Sequence, residues 1–445
     1  MRRARAKSMF LSRVSSRCWP SPCRRTPSAW YWNHAAEAPR GAWLVIHPAY
    51  TVQDSHMQGT GSGECDMSET TEYIHLFDAA VGALFSDAVR VTLRDPSVAG
   101  FFVRMRRAQH AAERRRAQLA EEGVHVPPFM ILSVTGRCNL ACAGCYAQAQ
   151  ARQEESDMTP TELLSVVRQG SDLGVGIMLL AGGEPMTRAD DLLTIAREVP
   201  DVMFPVFTNG TLLDESLVGR IRRQRNLVPI ISLEGHAAET DARRGAGVAG
   251  QALAAIARMR RAGVFFGTSL TVTRLNIDTV LDERYLSSLI NLGCRLFFFV
   301  EYVPVREGTE LLILDSVQRT RLAAAVTSLQ ERFRGLFIAF PGDEEAFGGC
   351  LAAGRGFIHI SPSGRVEPCP FAPYSDAGVR DAPLRDALAS PLLAAIRDNH
   401  EKLTETSGGC ALWSQREWVR SLIAGPETVE TAGLGKPHGN DRDLL

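Results

Sequence analysis

The sequence predicts an α/β fold, organised as a parallel sheet or a partial barrel. Its composition, with 45% apolar and 22% charged residues, is that of a globular protein. Short β-rich runs alternate with helical runs along the middle of the chain, which is the pattern of strands joined by crossover helices. Polar motifs follow the ends of these strands, where the chemistry of parallel α/β folds is found.

Six strands are predicted, with helices between them. The strands are expected at Met130–Val134, Gly176–Ala181, Val202–Thr208, Val228–Leu233, Phe265–Thr273 and Leu296–Val303. The helices are expected at Pro160–Asp172, Ala189–Glu198, Glu215–Arg223, Val248–Ala262 and Asp278–Leu292. Together they define a core over residues 128–340.

The chain before this core divides into two parts. Residues 1–66 are Arg-rich and acid-poor, hold four of the six tryptophans and show no apolar periodicity. We interpret them as an atypical, disordered extension upstream of a natural start near Met67, with a targeting peptide as the alternative. Residues 67–127 are predicted to be a helical segment, because apolar residues recur at helical spacing from Leu76 to Glu122.

A small cysteine-containing extension is predicted over residues 341–424. It begins with a hairpin of Phe357–Ile360 and Arg365–Glu367 around a Pro-Ser-Gly turn, and a helical pattern follows over Leu384–His400. Residues 425–445 are rich in glycine and polar residues, so we expect a disordered tail.

Charge and cysteine content narrow the class of protein. The net charge of −1 provides no global basic field, and no apolar run approaches the about 20 residues that span a bilayer, so we expect neither a nucleic-acid nor a membrane partner. Ten cysteines in 445 residues are too sparse for a disulfide scaffold, and three of them fall within eight residues. This clustering indicates metal ligation by reduced thiolates and therefore a reducing, cytoplasmic location.

The motif after the first strand carries the chemistry. It reads Cys138-Asn-Leu-Ala-Cys142-Ala-Gly-Cys145, a C-x3-C-x2-C spacing. A [4Fe–4S] cubane normally takes four thiolates, so three on one loop leave one iron open to an external ligand. A zinc site or buried thiols are the alternative, but zinc usually takes four ligands from paired knuckles and the sequence has no second C-x2-C pair.

These residues resemble the radical S-adenosylmethionine (SAM) superfamily. The resemblance implies a partial (β/α)6 TIM-like barrel in which Cys138, Cys142 and Cys145 bind the cluster and SAM chelates the open iron. Reductive cleavage of SAM would give a 5′-deoxyadenosyl radical that abstracts hydrogen from the substrate. The family tends to place an aromatic residue where this chain has Gly144, and Tyr146 is the candidate that takes its place near SAM.

The end of the second strand supports the same resemblance. Gly182, Gly183, Glu184 and Pro185 match the family's Gly-Gly-Glu-Pro element, which binds the SAM amino group. Glycines let a backbone approach a ligand, and a carboxylate accepts hydrogen bonds from an ammonium. The alternative is a turn that leads into a helix, with the proline at an early helical position.

The next strand ends carry weaker elements of the family pattern. Asn209, which follows the third strand, is either a cofactor-facing residue or part of an Asn-Gly turn. Ser232 and Glu234 match an element that contacts the ribose and methionyl part of SAM, with a strand-end cap as the alternative. Arg244 resembles an arginine that could fork onto the SAM carboxylate, although a surface arginine is the other interpretation.

A second metal site is predicted in the extension. Cys350, Cys369 and Cys410 resemble the SPASM or twitch segments that carry auxiliary iron–sulfur clusters, and three cysteines suggest one such cluster. Ordinary free cysteines are the alternative. His359 and Glu367 of the hairpin are assigned no role.

The sequence thus predicts a radical SAM enzyme with a reductant such as ferredoxin or flavodoxin as partner. Its substrate would be a peptide or a small molecule. Peptide or protein modification is the first hypothesis, and synthesis of a cofactor or metabolite is the alternative. A hypothesis of another class is a non-catalytic iron–sulfur electron-transfer protein, against which the SAM-type motifs argue.

Overall fold

The computed structural model describes residues 67–150, 155–340, 349–403 and 410–423. The predicted N-terminal extension over residues 1–66 and the predicted tail over residues 425–445 lie outside these ranges. None of the helices within the ranges is long and apolar enough to cross a membrane.

Within the described ranges, ten strands form one sheet in the order β10-β9-β8-β1-β2-β3-β4-β5-β6-β7. The strands are β1 Phe129–Thr135, β2 Ile177–Gly182, β3 Phe204–Thr208, β4 Leu227–Leu233, β5 Gly267–Val272, β6 Leu296–Glu301, β7 Leu336–Phe340, β8 Phe357–Ile360, β9 Arg365–Glu367 and β10 Ala377–Gly378. Strands β1 to β7 pair in parallel as successive neighbours, and β8 pairs in parallel with β1. The short β9 and β10 continue this edge in antiparallel pairing.

Helices connect the parallel strands and extend both ends of the chain. The α-helices are α1 Met67–Thr92, α2 Pro96–Glu121, α3 Tyr146–Ala149, α4 Pro160–Asp172, α5 Ala189–Glu198, α6 Glu215–Ile221, α7 Ala237–Arg244, α8 Val248–Ala262, α9 Ile277–Val280, α10 Glu283–Asn291, α11 Ser316–Arg332, α12 Leu384–Ala387, α13 Pro391–Asp398, α14 Ala411–Ser414 and α15 Arg416–Ile423. The apolar faces of the crossover helices cover the sheet and form one continuous core with it.

Aromatic side chains bring the two ends of the parallel array close to each other. The ring of Phe340 in β7 lies 5.5 Å from the ring of Phe357 in β8, measured between centroids. Phe129 of β1 packs edge-on against Phe357 at 6.0 Å. No strand pairing joins β7 to β8 within the described ranges, so the sheet is a partial barrel whose opening is bridged by side chains.

The two N-terminal helices are tied to the outside of the barrel. Asp95 caps α2, because its carboxylate accepts hydrogen bonds from the backbone N–H groups of Ser97 and Val98, and a proline begins the helix. The buried Arg116 of α2 forms an ion pair with Asp78 of α1 and donates to the carbonyl of Gly174 just before β2. One guanidinium therefore links both helices to the sheet.

The predicted α/β class with a partial barrel is confirmed, and the predicted strands lie close to their observed bounds. Two helical predictions are corrected. The helix expected over 278–292 is divided into α9 and α10 because Asp282 caps a new helix. The pattern over 384–400 is interrupted before Pro391, which begins α13.

Two features of the sheet were not predicted. β7 adds a seventh parallel strand inside the segment expected to form the core. The hairpin of β8 and β9 was expected in the extension, but its pairing with β1, the strand that precedes the cysteine motif, was not. The extension therefore continues the sheet of the barrel.

Candidate functional site

The three clustered cysteines lie on the loop between β1 and α3. Cys138 is exposed, and Cys142 and Cys145 are partly buried. The Leu140 N–H donates to the Cys138 sulfur at 3.4 Å, and the Cys145 N–H donates to the Cys142 carbonyl at 3.3 Å. Gly144 adopts a φ of 64°, a left-handed conformation that favours glycine and lets the chain turn between the second and third cysteines.

Burial and neighbouring charges perturb these thiols. Burial raises the pKa of Cys142, whereas Arg244 and Arg243 lower it. Burial also raises the pKa of Cys138, and the charges of Glu184 and the other two cysteines add to this effect. The three thiols therefore interact electrostatically, and binding of a metal through thiolates would release their protons.

The glycines at the end of β2 contact the backbone of the cysteine loop. A Cβ on Gly182 would stand 2.4 Å from the Thr135 carbonyl oxygen, and one on Gly183 would stand 2.0 Å from the Arg137 carbonyl oxygen. The Gly183 and Glu184 N–H groups donate to these same two oxygens, each at 2.8 Å. The glycines thus allow the end of β2 to contact the backbone at the start of the loop. The sequence predicted only that these glycines would let the backbone approach a ligand.

Glu184 joins the ends of β2 and β3 from a fully buried position. Its carboxylate accepts hydrogen bonds from Met186 N–H at 2.9 Å, Thr208 Oγ1 at 2.7 Å and Asn209 N–H at 2.8 Å. Burial raises the pKa of Glu184, while these three donors favour the charged form. The adjacent Pro185 is buried and begins a single 3-10 turn.

Asn209 reaches the cysteine loop directly. Its side-chain amide donates to Asn139 Oδ1 at 2.9 Å, and Asn139 in turn donates to Thr211 at 2.8 Å. Asn139 follows the first cysteine and was not singled out from the sequence, since a lone amide inside a motif gives no signal of its own. The loop is therefore connected to the end of β3 as well as to β2.

A buried carboxylate and two arginines lie on the other side of the loop. Glu234 is 1% exposed and accepts from Arg243 and Arg244, each with an N–O distance of 2.5 Å. The Arg243 carbonyl accepts the Ala143 N–H at 2.8 Å, which attaches the end of α7 to the loop. Arg243 was missed by the sequence reasoning, although it is the neighbour of the predicted Arg244. Ser232 lies two residues earlier and is hydrogen-bonded to Ser269 at 3.2 Å.

Polar atoms beside the loop lack partners among the described residues. They are Oε2 of Glu234, Nε of Arg243 and the hydroxyl of Tyr302, all of which are buried. The Tyr302 hydroxyl lies against Gly144, 2.5 Å from the position that a Cβ would occupy. Buried polar atoms are nearly always hydrogen-bonded in folded proteins, so this group of atoms is suited to a polar ligand.

The same part of the chain carries a recognisable family pattern. A family model described as the radical SAM superfamily matches residues 132–286, from within β1 into α10. The chain carries a radical SAM domain. Its relatives include the AdoMet-dependent heme synthase of Methanosarcina barkeri, which is 27% identical over 290 residues, covering 59% of this chain and 82% of that protein.

A second relative and a solved structure extend the comparison. The PqqA peptide cyclase of Granulibacter bethesdensis is 28% identical over 255 residues, which cover 55% of this chain and 68% of that protein. Streptococcus suis SuiB bound to S-adenosylmethionine matches with a TM-score of 0.53 at 19% identity, over 63% of this chain and 70% of SuiB. The structural likeness concerns the fold. With relatives named as a synthase and a cyclase, this radical SAM protein is an enzyme.

The residues fit the two cofactors of the radical SAM superfamily, a [4Fe–4S] cluster and SAM. In the described ranges, no three His, Cys, Asp or Glu side chains converge as they would on a single metal ion. A cubane requires a different arrangement, since each thiolate binds a separate iron, and three interacting thiols on one loop fit three irons. The unpartnered atoms of Glu234, Arg243 and Tyr302 fit a ligand that bears hydroxyl, ammonium and carboxylate groups, as SAM does.

Tyr146 of the radical SAM loop faces the C-terminal extension. Its ring packs edge-on against Phe371 with the centroids 5.2 Å apart. Burial raises the pKa of Tyr146, and the charges of Cys145 and Cys369 raise it further, so this residue lies within electrostatic reach of both cysteine groups. Its predicted role as a SAM contact stays a prediction.

The three C-terminal cysteines are buried. The Cys350 N–H donates to the Leu403 carbonyl at 3.2 Å, and the Ala353 N–H donates to the carbonyl of Pro368, the residue before Cys369, at 3.1 Å. Arg355 is 3% exposed and donates to the Cys350 carbonyl at 2.8 Å. Cys410 caps α14 by accepting the Trp413 N–H. The extension therefore holds three buried thiols, with a buried guanidinium bound to the backbone of one of them.

Proposed function

We propose that the chain is a radical SAM enzyme with two iron–sulfur sites, which oxidises a substrate held in the interior of the barrel. The observation that carries this proposal is the ring contact between Tyr146, which follows Cys145 in the loop, and Phe371, which lies two residues after Cys369 in the extension. This contact supports placing Cys145 and Cys369 at the same end of the sheet. The family model covers the first group, and the second group rests on the burial of its three cysteines and on the Tyr146–Phe371 contact.

The loop cysteines would hold the catalytic cluster, and the residues around it would hold SAM. Cys138, Cys142 and Cys145 supply three thiolates and leave one iron open. When bound, the cluster and SAM supply a reductively generated 5′-deoxyadenosyl radical that removes a hydrogen atom from the substrate. A protein such as ferredoxin or flavodoxin would deliver the electron.

The chain's own residues would orient SAM. The Gly183 and Glu184 N–H groups hold the start of the loop, and the Glu184 carbonyl accepts from Thr187. We therefore assign the Gly183 carbonyl as an acceptor for the SAM ammonium. Arg243 and Arg244 both bind Oε1 of Glu234, so the donor and acceptor that we assign to SAM here are Nε of Arg243 and Oε2 of Glu234. Ser232 offers a second acceptor for a hydroxyl group. Asn209 and Pro185 would support this shell by holding the ends of β3 and β2.

Two substrate classes follow from the names of the relatives. The match to the heme synthase covers 82% of that protein, which favours a small molecule of cofactor synthesis as the substrate. The match to the peptide cyclase covers 68% of that protein and favours modification of a peptide. An iron porphyrin and a synthetic peptide are the two probes that separate these classes.

Anaerobic reconstitution tests the two-site proposal. We expect about eight irons per chain in the wild type and about four in either Cys142→Ala or Cys369→Ser. Only Cys142→Ala should abolish 5′-deoxyadenosine formation with SAM and dithionite by removing the catalytic site. Cys294→Ala is the matched control, because Cys294 is a buried thiol just before β6, at the opposite end of the parallel strands from the cysteine loop. Burial raises its pKa to about 12. A wild-type value near four irons per chain would contradict the second site. Formation of 5′-deoxyadenosine by Cys142→Ala would contradict the first.

A further inference from the structure

Three buried polar side chains form a continuous chain across β1, β8 and β9. Ser133 Oγ lies 2.8 Å from His359 Nε2, and His359 Nδ1 lies 2.8 Å from Glu367 Oε2. The exposed fractions of the three residues are 3%, 5% and 2%. Ser133 and His359 are 226 residues apart in the sequence, so only the pairing of β8 with β1 brings them together.

The side chains of Ser133, His359 and Glu367 lie on the inner face of the barrel. A Cβ on Gly170 of α4 would meet the methyl groups of Met178 and Met130, which shows that these methionines point outward to the helix layer. Side chains alternate along a strand, so Ser133, three positions after Met130, points to the opposite side. His359 is paired in register with the neighbouring inner residue Ile131.

The inner face beside these three side chains borders open space. Leu179 is paired with Ile131 and is partly exposed, although the residues on either side of it in β2 are fully buried. Phe207 and Phe298 show the same partial exposure within β3 and β6, and their rings meet at 5.0 Å. Partial exposure of these inward side chains along otherwise buried strands indicates that the inner face is not fully packed. Ser133 lies near the carboxyl end of β1, the end at which barrels of this type carry their active sites.

The order of the groups is suited to proton transfer. A neutral histidine has one donor and one acceptor nitrogen. With Nδ1–H donated to the Glu367 carboxylate, Nε2 accepts the proton of the Ser133 hydroxyl, and the carboxylate stabilises the imidazolium that forms when that proton is taken up. The same order of serine, histidine and carboxylate activates nucleophiles in unrelated folds.

We propose that Ser133, His359 and Glu367 form a proton-transfer site in the barrel interior, which deprotonates an O–H group of the bound substrate. The substrate proton passes to Ser133 Oγ while the Ser133 proton moves to His359 Nε2, which leaves a substrate oxyanion and an imidazolium paired with Glu367. His359 accepts the proton, and Glu367 is a positioning residue. The proposal rests on the proposed function only in that the barrel interior is taken as the substrate space.

Phenylmethylsulfonyl fluoride is a probe for this site that requires neither iron nor SAM. Attack by Ser133 Oγ forms an oxygen–sulfur bond, releases fluoride and transfers the hydroxyl proton to His359. We expect mass spectrometry of the reconstituted protein to show labelling of Ser133 at least about 100-fold faster than labelling of Ser232, since a general base contributes about that factor. Ser232 and Ser269 are the internal control, because they are buried serines on the same inner face that are hydrogen-bonded to each other.

Variants distinguish a proton-accepting role of His359 from a purely structural role. His359→Ala should reduce the rate of Ser133 labelling about 100-fold. Added imidazole should restore part of this rate, which is not expected if His359 has only a structural role. Glu367→Gln should also slow labelling, and Glu367→Asp should recover part of it. The proposal is overturned if wild-type Ser133 reacts no faster than Ser232, a comparison that needs no variant to fold, or if imidazole has no effect. Iron content and 5′-deoxyadenosine formation report separately on the proposed function.

Discussion

Replacement of Gly183 by alanine tests whether the end of β2 sets the position of the first cluster cysteine. The residue is surrounded by backbone, since its N–H donates to Thr135 and the next N–H donates to the carbonyl of Arg137. Arg137 immediately precedes Cys138. A side chain at position 183 would therefore act on the loop through its backbone.

The size of the effect follows from the contacts of the added methyl group. Its carbon would stand 2.0 Å from the Arg137 oxygen, 2.4 Å from the Arg137 carbonyl carbon and 3.0 Å from the Cys138 nitrogen. Separations under 3.0 Å are essentially never seen for a Cβ, so the Arg137 carbonyl must retreat by about 1 Å. Overpacking of this kind costs about 1–3 kcal/mol, and the weakened hydrogen bond from Glu184 adds about 1 kcal/mol.

A loss of about 2–4 kcal/mol confined to the loop weakens cluster binding by roughly 30- to 1,000-fold. The measurement is iron content after anaerobic reconstitution under limiting iron and sulfide, together with thermal unfolding of the iron-free protein. Gly250→Ala is the control, because a Cβ at this position in α8 meets nothing within 4 Å and the substitution favours the helix.

The outcome that would refute this reasoning is a Gly183→Ala protein that takes up iron as well as Gly250→Ala does, with the same unfolding temperature. The loop would then be free to move away from β2 at no cost. Equal destabilisation of the iron-free protein by the two variants would likewise show that the glycine has no special contact.

Two further predictions concern stability. Arg116→Ala should lower the free energy of unfolding in urea by about 3–5 kcal/mol, because it removes the buried cation that faces Asp78. Arg115→Ala, at an exposed neighbour, should lower it by under about 1 kcal/mol. Equal losses would contradict the ion pair as the link between the helices and the sheet. Burial lowers the pKa of His125 to about 4 from an ordinary 6.5, so the unfolded chain takes up the proton first, and stability should fall as pH drops from about 6.5 to 4. His125→Gln should flatten this decline by roughly 2–3 kcal/mol relative to the exposed control His110→Gln, and parallel pH profiles would contradict the assignment.

Local sequence patterns were sufficient for the elements and for the order of the motifs. The helices Pro160–Asp172, Ala189–Glu198 and Val248–Ala262 have the bounds that periodicity and capping residues predict. The cysteine loop and the Gly-Gly-Glu-Pro turn lie side by side because both follow neighbouring parallel strands. Such features depend on interactions within a few residues or on the regular geometry of a parallel sheet.

The rest of the site depends on contacts between distant segments, for which a single sequence carries no signal. Glu184 was expected to face a ligand, yet its carboxylate is engaged by donors from β3. Tyr302 reaches Gly144 from the end of β6, and nothing in its own neighbourhood indicated this. His359 was assigned no role because its partner Ser133 lies on a strand whose pairing with β8 could not be inferred.

The pairing of β8 with β1 has a consequence for the geometry of the two cysteine groups. Cys138 follows β1, and Cys369 follows β9, which is paired to β8. The register of one sheet, rather than a linker, therefore sets the separation of the two groups. Further contacts reinforce it, because Met158 N–H donates to the Pro362 carbonyl at 2.7 Å and Arg380 pairs with Glu162 at 2.9 Å.

A rigid connection of this kind suits a reaction in which an electron must leave the substrate while it is held in place. Strand pairing would hold the distance between bound donor and acceptor groups more closely than a hinged linker would. The same strand pairing places Ser133 beside His359, so the extension completes the wall of the barrel interior and also carries the second group of cysteines. Loss of the β8–β1 pairing should therefore perturb the Ser133–His359 contact and the position of Cys369 together.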